Sequence, residues 1–279
     1  MGLYELIMKR RSVRNFESQE IPEDVIEKLV DAANNAPSGG NIQPLSIILV
    51  REPERRAELA DIVGGQPWVK NAPLSMIFCI DFYRLKKWAA TFDTQFKGEK
   101  ALSHFLIAYA DIMCSAQNVV LLAGELGLGS VYIGTIQSSM DRGREYFEIP
   151  KYVVPMMVLS LGYPRSVPKN VPKLERAAVV HREKYRVDTD AEIAQTFEKK
   201  YGSLEDTREN YFERTFVEVV EADKQQRESW ADSVKEEMKK LEIKSNAEFL
   251  FKLRYPTDQM VKMNDGLFRS LKNAGFDFS

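Results

Sequence analysis

The 279-residue chain has little of what metal sites, disulfide frameworks and nucleic-acid-binding surfaces require. It contains two cysteines and two histidines, which lie too far apart for a metal-ligand spacing. Cys79 and Cys114 each lie in an apolar run, which predicts reduced, buried thiols in a cytoplasmic protein and no disulfide. A net charge of −2 gives the surface as a whole no attraction for nucleic acid or an acidic membrane.

Targeting signals are also scarce. The N-terminal stretch MGLYELIMKRR has neither the apolar core nor the small-residue cleavage site of a signal peptide. Residues 105–123 form an apolar run long enough to cross a bilayer, but Asp111, Gln117 and Asn118 in its middle favour a buried helix. We therefore expect a cytoplasmic protein that binds neither membrane nor nucleic acid.

Apolar residues make up 44% of the chain, enough for one large domain with additions or for two small ones. Hydrophobic periodicity predicts helices over 2–10, 22–34, 52–65 and 101–126, and strands over 44–50, 74–81, 130–134, 153–162 and 177–185. These elements do not follow a regular βαβ order, so the sequence predicts an α+β fold.

Charge and composition change near Val187. Residues 1–186 carry 24 basic and 21 acidic residues, and residues 187–279 carry 15 and 20. The second part is polar and helical, with recurring aromatic residues. We predict a body over 1–186 and a helical extension over 187–279 that packs on the body or on a partner copy.

The stretch RRSVR, residues 10–14, carries three arginines and a serine. Cations at a helix C-terminus offset the helix dipole, so solvated charges are one interpretation. The other is a phosphate clamp, because arginine forks and a serine hydroxyl match the acceptor oxygens of a phosphate monoester.

Three further motifs each allow two interpretations. APSGGNIQP, residues 36–44, is either an ordinary loop or one whose glycines let the backbone approach a flat ligand, with Ser38, Asn41 and Gln43 as hydrogen-bonding groups. GELGLGSVYIG, residues 124–134, follows a helix and precedes a strand, so it is not a dinucleotide fingerprint, and Gly134 could expose backbone N–H groups to a cofactor. LGYPRSVPKNVPK, residues 161–173, is either an exposed loop or a second source of cations for a phosphate.

The order of these motifs resembles that of the nitroreductase/flavin reductase family. A helix ending in RRSVR, the PSGGNIQP loop, GLGSVYIG after a long apolar helix and LGYP after the next strand carry the resemblance, which spans residues 1–186. VGGQPWVKNAP, VYIGTIQSS, VVHREKY, RESWADSVKEEM and SLKNAGF resemble the larger NADPH-dependent nitroreductases and flavin reductases within it.

The resemblance implies a homodimer of α+β subunits, with a mainly antiparallel central sheet, a long central helix at the dimer interface and two FMN sites there. It implies that Arg10 and Ser12 face the FMN phosphate, and that Arg11 and Arg14 lie along the ribityl chain and pyrimidine edge. The other implied cofactor contacts are Ser38, Gly39 and Asn41 from the other subunit, Gln66 at the ring's polar edge, Tyr132, Ile133 and Gly134 against the ring, and Arg165, Lys169 or Lys173 at the phosphate.

The implied activity is that of an FMN-dependent NAD(P)H oxidoreductase with ping-pong kinetics, passing hydride through flavin N5 to a nitroaromatic, quinone or flavin acceptor. Arg227 matches a place where the NADPH 2′-phosphate binds, whereas Glu221 and Gln226 stand where further cations are expected. NADPH and NADH therefore both stay open as donors. Reductive dehalogenation, flavin fragmentation and a flavin-binding module without turnover are the alternatives. No side-chain nucleophile is needed. Asp111, Glu125 and His104 are interpreted as structural or solvated, and His181 as a strand residue with an ordinary hydrogen bond.

Overall fold

The computed structural model describes residues 2–166, 168, 171–207 and 224–278, with the backbone alone at 224–231. The chain divides into two compact units, one formed by residues 1–167 and 262–279 and the other by residues 168–261. The predicted boundary after residue 186 falls inside the second unit.

The first unit contains a four-stranded sheet in the order β1-β2-β4-β3, with every neighbouring pair antiparallel. Its strands are β1 (Leu45–Val50), β2 (Leu74–Asp81), β3 (Gly129–Ile133) and β4 (Val153–Gly162). All residues of β2 and β4 are buried, as the continuous apolar runs at the sheet centre require. In this strand order, β1 and β3 form opposite edges of the sheet. The antiparallel sheet with its surrounding helices confirms the predicted α+β class.

Within the described residues of the first unit, seven α-helices precede the last strand: α1 (Leu3–Lys9), α2 (Glu23–Asn34), α3 (Pro53–Ile62), α4 (Pro67–Asn71), α5 (Tyr83–Thr91), α6 (Leu102–Glu125) and α7 (Met140–Tyr146). The sequence predicted α1, α2, α3 and α6, and it missed α4, α5 and α7. Two positive-φ glycines, Gly64 and Gly65, follow α3, and Gly127 follows α6 with a φ of 79°. Left-handed glycines of this kind commonly end helices.

The helix α6 is long and apolar enough to cross a membrane by length and composition. It packs instead against α2 and the sheet, with a buried face that includes Ala108, Ile112, Ala116, Val119 and Ala123. In its middle, the Asn118 side-chain amide donates to the Ala32 carbonyl of α2 at 3.0 Å. It is therefore a core helix.

The two cysteines differ. Cys79 is buried in β2, as predicted, but Cys114 is exposed, so the prediction of two buried thiols was wrong. The reason is helical periodicity, because position 114 lies on the face of α6 that also carries Ile107, Ala110 and Gln117, all exposed in one chain.

Residues 177–185 form no strand, contrary to the sequence prediction. A short 3₁₀-helix covers Arg176–Ala178, and Val179 and Val180 are 56% and 53% exposed, so these residues lack the burial that an apolar strand gains in a sheet. His181 accepts a hydrogen bond from the Arg186 backbone N–H at 3.2 Å, so an ordinary hydrogen bond is present without the strand.

The tail is helical in its described parts, with α8 (Asp190–Tyr201), α9 (Lys224–Lys240) and α10 (Thr257–Asn273). Thr189 and Glu192 form a capping box at the start of α8. Between α9 and α10, a turn at Asn246–Glu248 continues as a π-helix over Phe249–Arg254. Residues 208–223, which belong to the predicted helical extension and include Glu221, lie outside the described residues.

The C-terminal residues of the first unit pack into its core. Leu271, Ala274 and Phe276 are buried there, and the Phe276 ring centre lies 5.4 Å from those of both Phe82 and Phe105. The Tyr152 backbone N–H donates to the Ala274 carbonyl at 2.7 Å, which ties the segment to the start of β4.

Candidate cofactor site

The arginine-rich segment runs along the free edge of β3. Ser12 forms a parallel bridge with Ser130, and the Val13 backbone N–H donates to the Ser130 carbonyl at 3.0 Å. A Cβ atom on Gly129 would lie 2.7 Å from the Val13 side chain, so the close approach requires glycine. The edge of the sheet therefore fixes the backbone from which the predicted phosphate clamp projects.

Arg10 and Arg11 are half-buried at the end of α1. One Arg11 guanidinium nitrogen donates to the carbonyls of Met8 and Arg10, at 3.1 and 2.9 Å. Within the described part of the chain, neither arginine forms an ion pair with a carboxylate. Two neighbouring cations without such a partner form a donor set suited to a dianionic phosphate.

Arg14 lies over an aromatic ring at the start of α4. Its guanidinium carbon is 5.5 Å from the Trp68 ring centre, within the range of a cation–π contact. Trp68 stands two residues after Gln66, so the predicted ring-edge arginine and the predicted ring-edge amide belong to one cluster.

The Gln66 amide connects this cluster to the end of β3. Its Nε2 donates to the Val63 carbonyl and to the Thr135 hydroxyl, both at 2.9 Å, and the Thr135 hydroxyl donates to the same carbonyl at 2.7 Å. Gly134 precedes Thr135 and is exposed. RRSVR, GGQ and VYIG, which are distant in sequence, therefore meet at the β3 edge.

The residues of β3 differ in what they offer a ligand. Tyr132 is half-buried, its hydroxyl donates to the Gln117 side-chain oxygen at 3.2 Å, and burial raises its pKa to about 12 against the opposing effect of Arg10. Ile133 is 2% exposed and packs in the core, so only its backbone faces the site. Thus Tyr132 is a neutral phenol at physiological pH, and the Ile133 prediction applies to the main chain alone.

The loop of residues 38–43 precedes β1, at the opposite edge of the sheet from β3. Three strand spacings separate the two edges, about 14 Å in total. The Gly39 backbone N–H donates to both carboxylate oxygens of Asp111 at 3.1 Å, and the Gln43 N–H donates to the Ser38 hydroxyl at 3.2 Å. Asn41 is exposed and Gln43 half-buried.

The structure describes fewer contacts for the other predicted cations. The Arg165 backbone N–H donates to the Asn15 carbonyl at 3.0 Å, beside the arginine segment, and its guanidinium pairs with Glu17 at 3.3 Å. Lys173 is exposed and belongs to the second unit. Lys169 lies outside the described residues, and for Arg227 only the helical backbone in α9 is described.

Sequence reasoning missed two residues of this cluster, Trp68 and Thr135, and assigned Asp111 no role at the site. Trp68 and Thr135 each stand within two residues of a predicted contact, and this proximity was the available signal. Asp111 stands far from the glycine loop in sequence, and only its bonds to Gly39 connect it to the site.

The first unit is thus an α+β unit with an antiparallel sheet and an arginine cluster at the sheet's edge. The nitroreductase family model matches residues 7–163, and the chain belongs to the nitroreductase family. It is 31% identical over 242 residues to an FMN reductase (NADPH) from Bacillus subtilis, covering 84% of this chain and 90% of that protein.

Two solved structures share the fold. The NfrA1 nitroreductase from B. subtilis superposes with a TM-score of 0.71 at 29% identity, over 85% of this chain and 92% of that one. An NADPH:FMN oxidoreductase from Vibrio harveyi, complexed with NAD⁺, superposes with a TM-score of 0.65 at 29% identity, over 73% and 88%. The nitroreductase-like fold expected from the motifs is confirmed.

Proposed function

We propose that this chain oxidises NAD(P)H in one half-reaction and reduces a nitroaromatic, a quinone or free flavin in a second, at a site formed by two subunits. Family membership and the FMN reductases among its relatives make it an FMN-dependent NAD(P)H oxidoreductase. The single observation that carries the assignment is the meeting of the arginine segment, Gln66 and Gly134 at the β3 edge.

The residues at that edge fit FMN by their chemistry. Arg10 and Arg11 supply cations for a phosphate, and Ser12 adds a hydroxyl. Arg14 and Gln66 supply a cation and an amide for the polar edge of a heteroaromatic ring. The exposed Gly134 has no side chain, and the nearest atom to a Cβ built there is 3.9 Å away, so a ring can approach its backbone.

FMN, when bound, supplies the two-electron chemistry by taking hydride at N5 and passing it on. The protein's part is to bind and orient. Arg14, held over Trp68, would supply a positive charge to the pyrimidine edge of the ring, and Tyr132, whose raised pKa keeps it a neutral phenol, would lie against the ring. Donor and acceptor would occupy the same open face in turn, which predicts ping-pong kinetics.

The site is proposed to need a second copy of the chain. Apolar side chains remain exposed on α1 and in the first turns of α6, and exposed apolar surface of this kind commonly marks an interface. Those more than 45% exposed are Leu3, Tyr4, Ile7, Met8, Leu102, Leu106 and Ile107. The loop of residues 38–43 rests on α6 beside this surface and would reach the partner's flavin. We propose a cytoplasmic homodimer.

Anaerobic stopped-flow mixing of the flavin-loaded protein with NADPH and separately with NADH tests this function. Bleaching of the flavin band by either nucleotide is expected, followed by recovery of the band when a nitroaromatic or quinone is added. If neither nucleotide bleaches the band, a flavin-binding module without turnover replaces the enzyme.

A further inference from the structure

The loop between α2 and β1 has an uncommon backbone conformation. Gly40, Asn41 and Gln43 have φ values of 60°, 54° and 48°, in the left-handed region that residues with a side chain seldom occupy. Such conformations persist where the surroundings fix them, and they cluster at ligand-binding sites.

Asp111, in the middle of α6, provides the clearest anchor. It is 9% exposed, and both of its carboxylate oxygens accept the Gly39 backbone N–H. A Cβ atom on Gly39 would lie 2.6 Å from Ile107 Cγ2, so the loop backbone is pressed against α6 one turn before Asp111. Position 39 therefore combines a steric need for glycine with a charge-assisted hydrogen bond.

Among the described residues, the Gly39 N–H is the sole hydrogen-bond donor to the Asp111 carboxylate. A carboxylate buried to this extent is unfavourable unless it is compensated, so packing alone does not account for an aspartate here. An apolar residue would fill the same space in α6 without that cost. Fixing the loop is a role that requires the charge.

We propose that Asp111 is a positioning residue, which holds the loop of residues 38–43 in the conformation that binds the flavin. The inference rests on the proposed function, since it assigns that loop to the FMN site. It predicts that Asp111 acts through the loop backbone without touching the cofactor.

Asp111→Asn is the central variant, because it keeps the shape and one acceptor oxygen but removes the charge and places an amide donor near the Gly39 N–H. Asp111→Ala removes both acceptors. Asn118→Ala is the matched control, because Asn118 lies on the same helix and ties it to α2 through the Ala32 carbonyl. Each protein is titrated with FMN, and hydrogen–deuterium exchange of the loop amides is followed in the flavin-free protein.

For wild-type protein that binds FMN, we expect Asp111→Ala to raise the FMN Kd about tenfold or more, since hydrogen bonds to charged groups contribute this much. Asp111→Asn should fall between it and wild type, with faster exchange at Asn41 and Gln43 and an altered visible circular dichroism of the bound flavin. Asn118→Ala should leave all three readouts unchanged.

Two results overturn the inference. The first is an Asp111→Asn protein with wild-type FMN affinity and loop exchange. The second is an Asn118→Ala protein that loses as much FMN affinity as the Asp111 variants do. That result would assign the effect to the packing of α6. Wild-type protein that takes up no FMN would overturn the proposed function and the inference together. The first two results leave the proposed function standing, so the two failures are distinguishable.

Discussion

The Gln66 amide donates to the Thr135 hydroxyl at 2.9 Å, joining the loop after α3 to the residue that follows Gly134. Both groups also bond the Val63 carbonyl, which makes a closed triangle of hydrogen bonds. The triangle fixes the amide predicted at the flavin's polar edge relative to the strand predicted beneath its ring. The candidate site thus has a framework of hydrogen bonds within the protein that holds Gln66 against the end of β3.

Removing the arginine clamp should remove the cofactor. We expect Arg10→Ala and Arg14→Ala each to weaken FMN binding by about 10- to 100-fold, because a charge-assisted hydrogen bond contributes about 1.5–3 kcal/mol. The double variant should purify without colour, as judged by its visible spectrum. Arg51→Ala is the control, since Arg51 pairs with Glu23 at the surface, away from the β3 edge. A double variant that stays yellow would contradict the clamp.

The contact between Arg14 and Trp68 can be tested separately. Trp68→Leu should raise the FMN Kd by about 2- to 30-fold, because a cation–π contact contributes about 0.5–2 kcal/mol. It should also lower the flavin reduction potential, because the Arg14 guanidinium is no longer held in place by the Trp68 ring. Tyr146→Leu removes a ring at the same 5.5 Å distance from Arg55 and serves as the control. Equal effects of the two variants would speak against a role for Trp68 at the site.

Gly129→Ala should destabilise the protein and displace the arginine segment, because the added methyl meets Val13 at 2.7 Å. Overpacking of this kind costs about 1–3 kcal/mol, measurable by urea unfolding. FMN affinity should fall in parallel. Gly266→Ala has no atom within 4 Å of the added Cβ and lies inside α10, so it should be neutral or slightly stabilising. If Gly129→Ala is as stable to urea as wild type, the arginine segment does not pass as close to position 129 as described.

The phenol of Tyr132 should titrate late. Burial raises its pKa from 10 to about 12, so its stabilising contribution is complete below pH 10 and is lost as the pH rises through about 12. Ultraviolet absorbance of tyrosinate should show a late step that Tyr132→Phe abolishes. Arg10 lowers this pKa, so Arg10→Ala should move the step to still higher pH. If Tyr132→Phe instead reduces the main tyrosine titration and leaves the late step in place, the late step does not belong to Tyr132.

The proposed dimer predicts a mass about twice the 32.0 kDa of one chain. Leu106→Asp, on the exposed face of α6, should give monomer and lose FMN, whereas Phe92→Asp, at a still more exposed apolar side chain outside that face, should do neither. Light scattering and FMN titration measure both effects. Cys114 should react with a thiol reagent faster in the monomer, and Cys79 in neither form, because burial raises the pKa of its thiol. A dimer that survives Leu106→Asp would place the interface elsewhere.

The central elements of the fold follow from local sequence patterns. The apolar runs of β2 and β4, the periodicity of α6 and the positive-φ glycines after α3 and α6 all have causes within a few residues. The strand predicted over 177–185 shows the limit of such patterns, because β-branched residues form a strand only where a partner edge covers them. Cys114 shows the same limit, since an apolar run does not tell which face of its helix is buried.

By itself, the sequence determined which residues are candidates for cofactor binding: the arginine cluster, the glycine loop, Gln66 and Gly134 stand out by residue type and order. Only the tertiary structure decided how they are held, by pairing Ser12 with Ser130, Arg14 with Trp68, Gln66 with Thr135 and Gly39 with Asp111. The physical reason is distance along the chain. Contacts between residues tens of positions apart depend on how the whole sheet packs, and no local pattern encodes that packing.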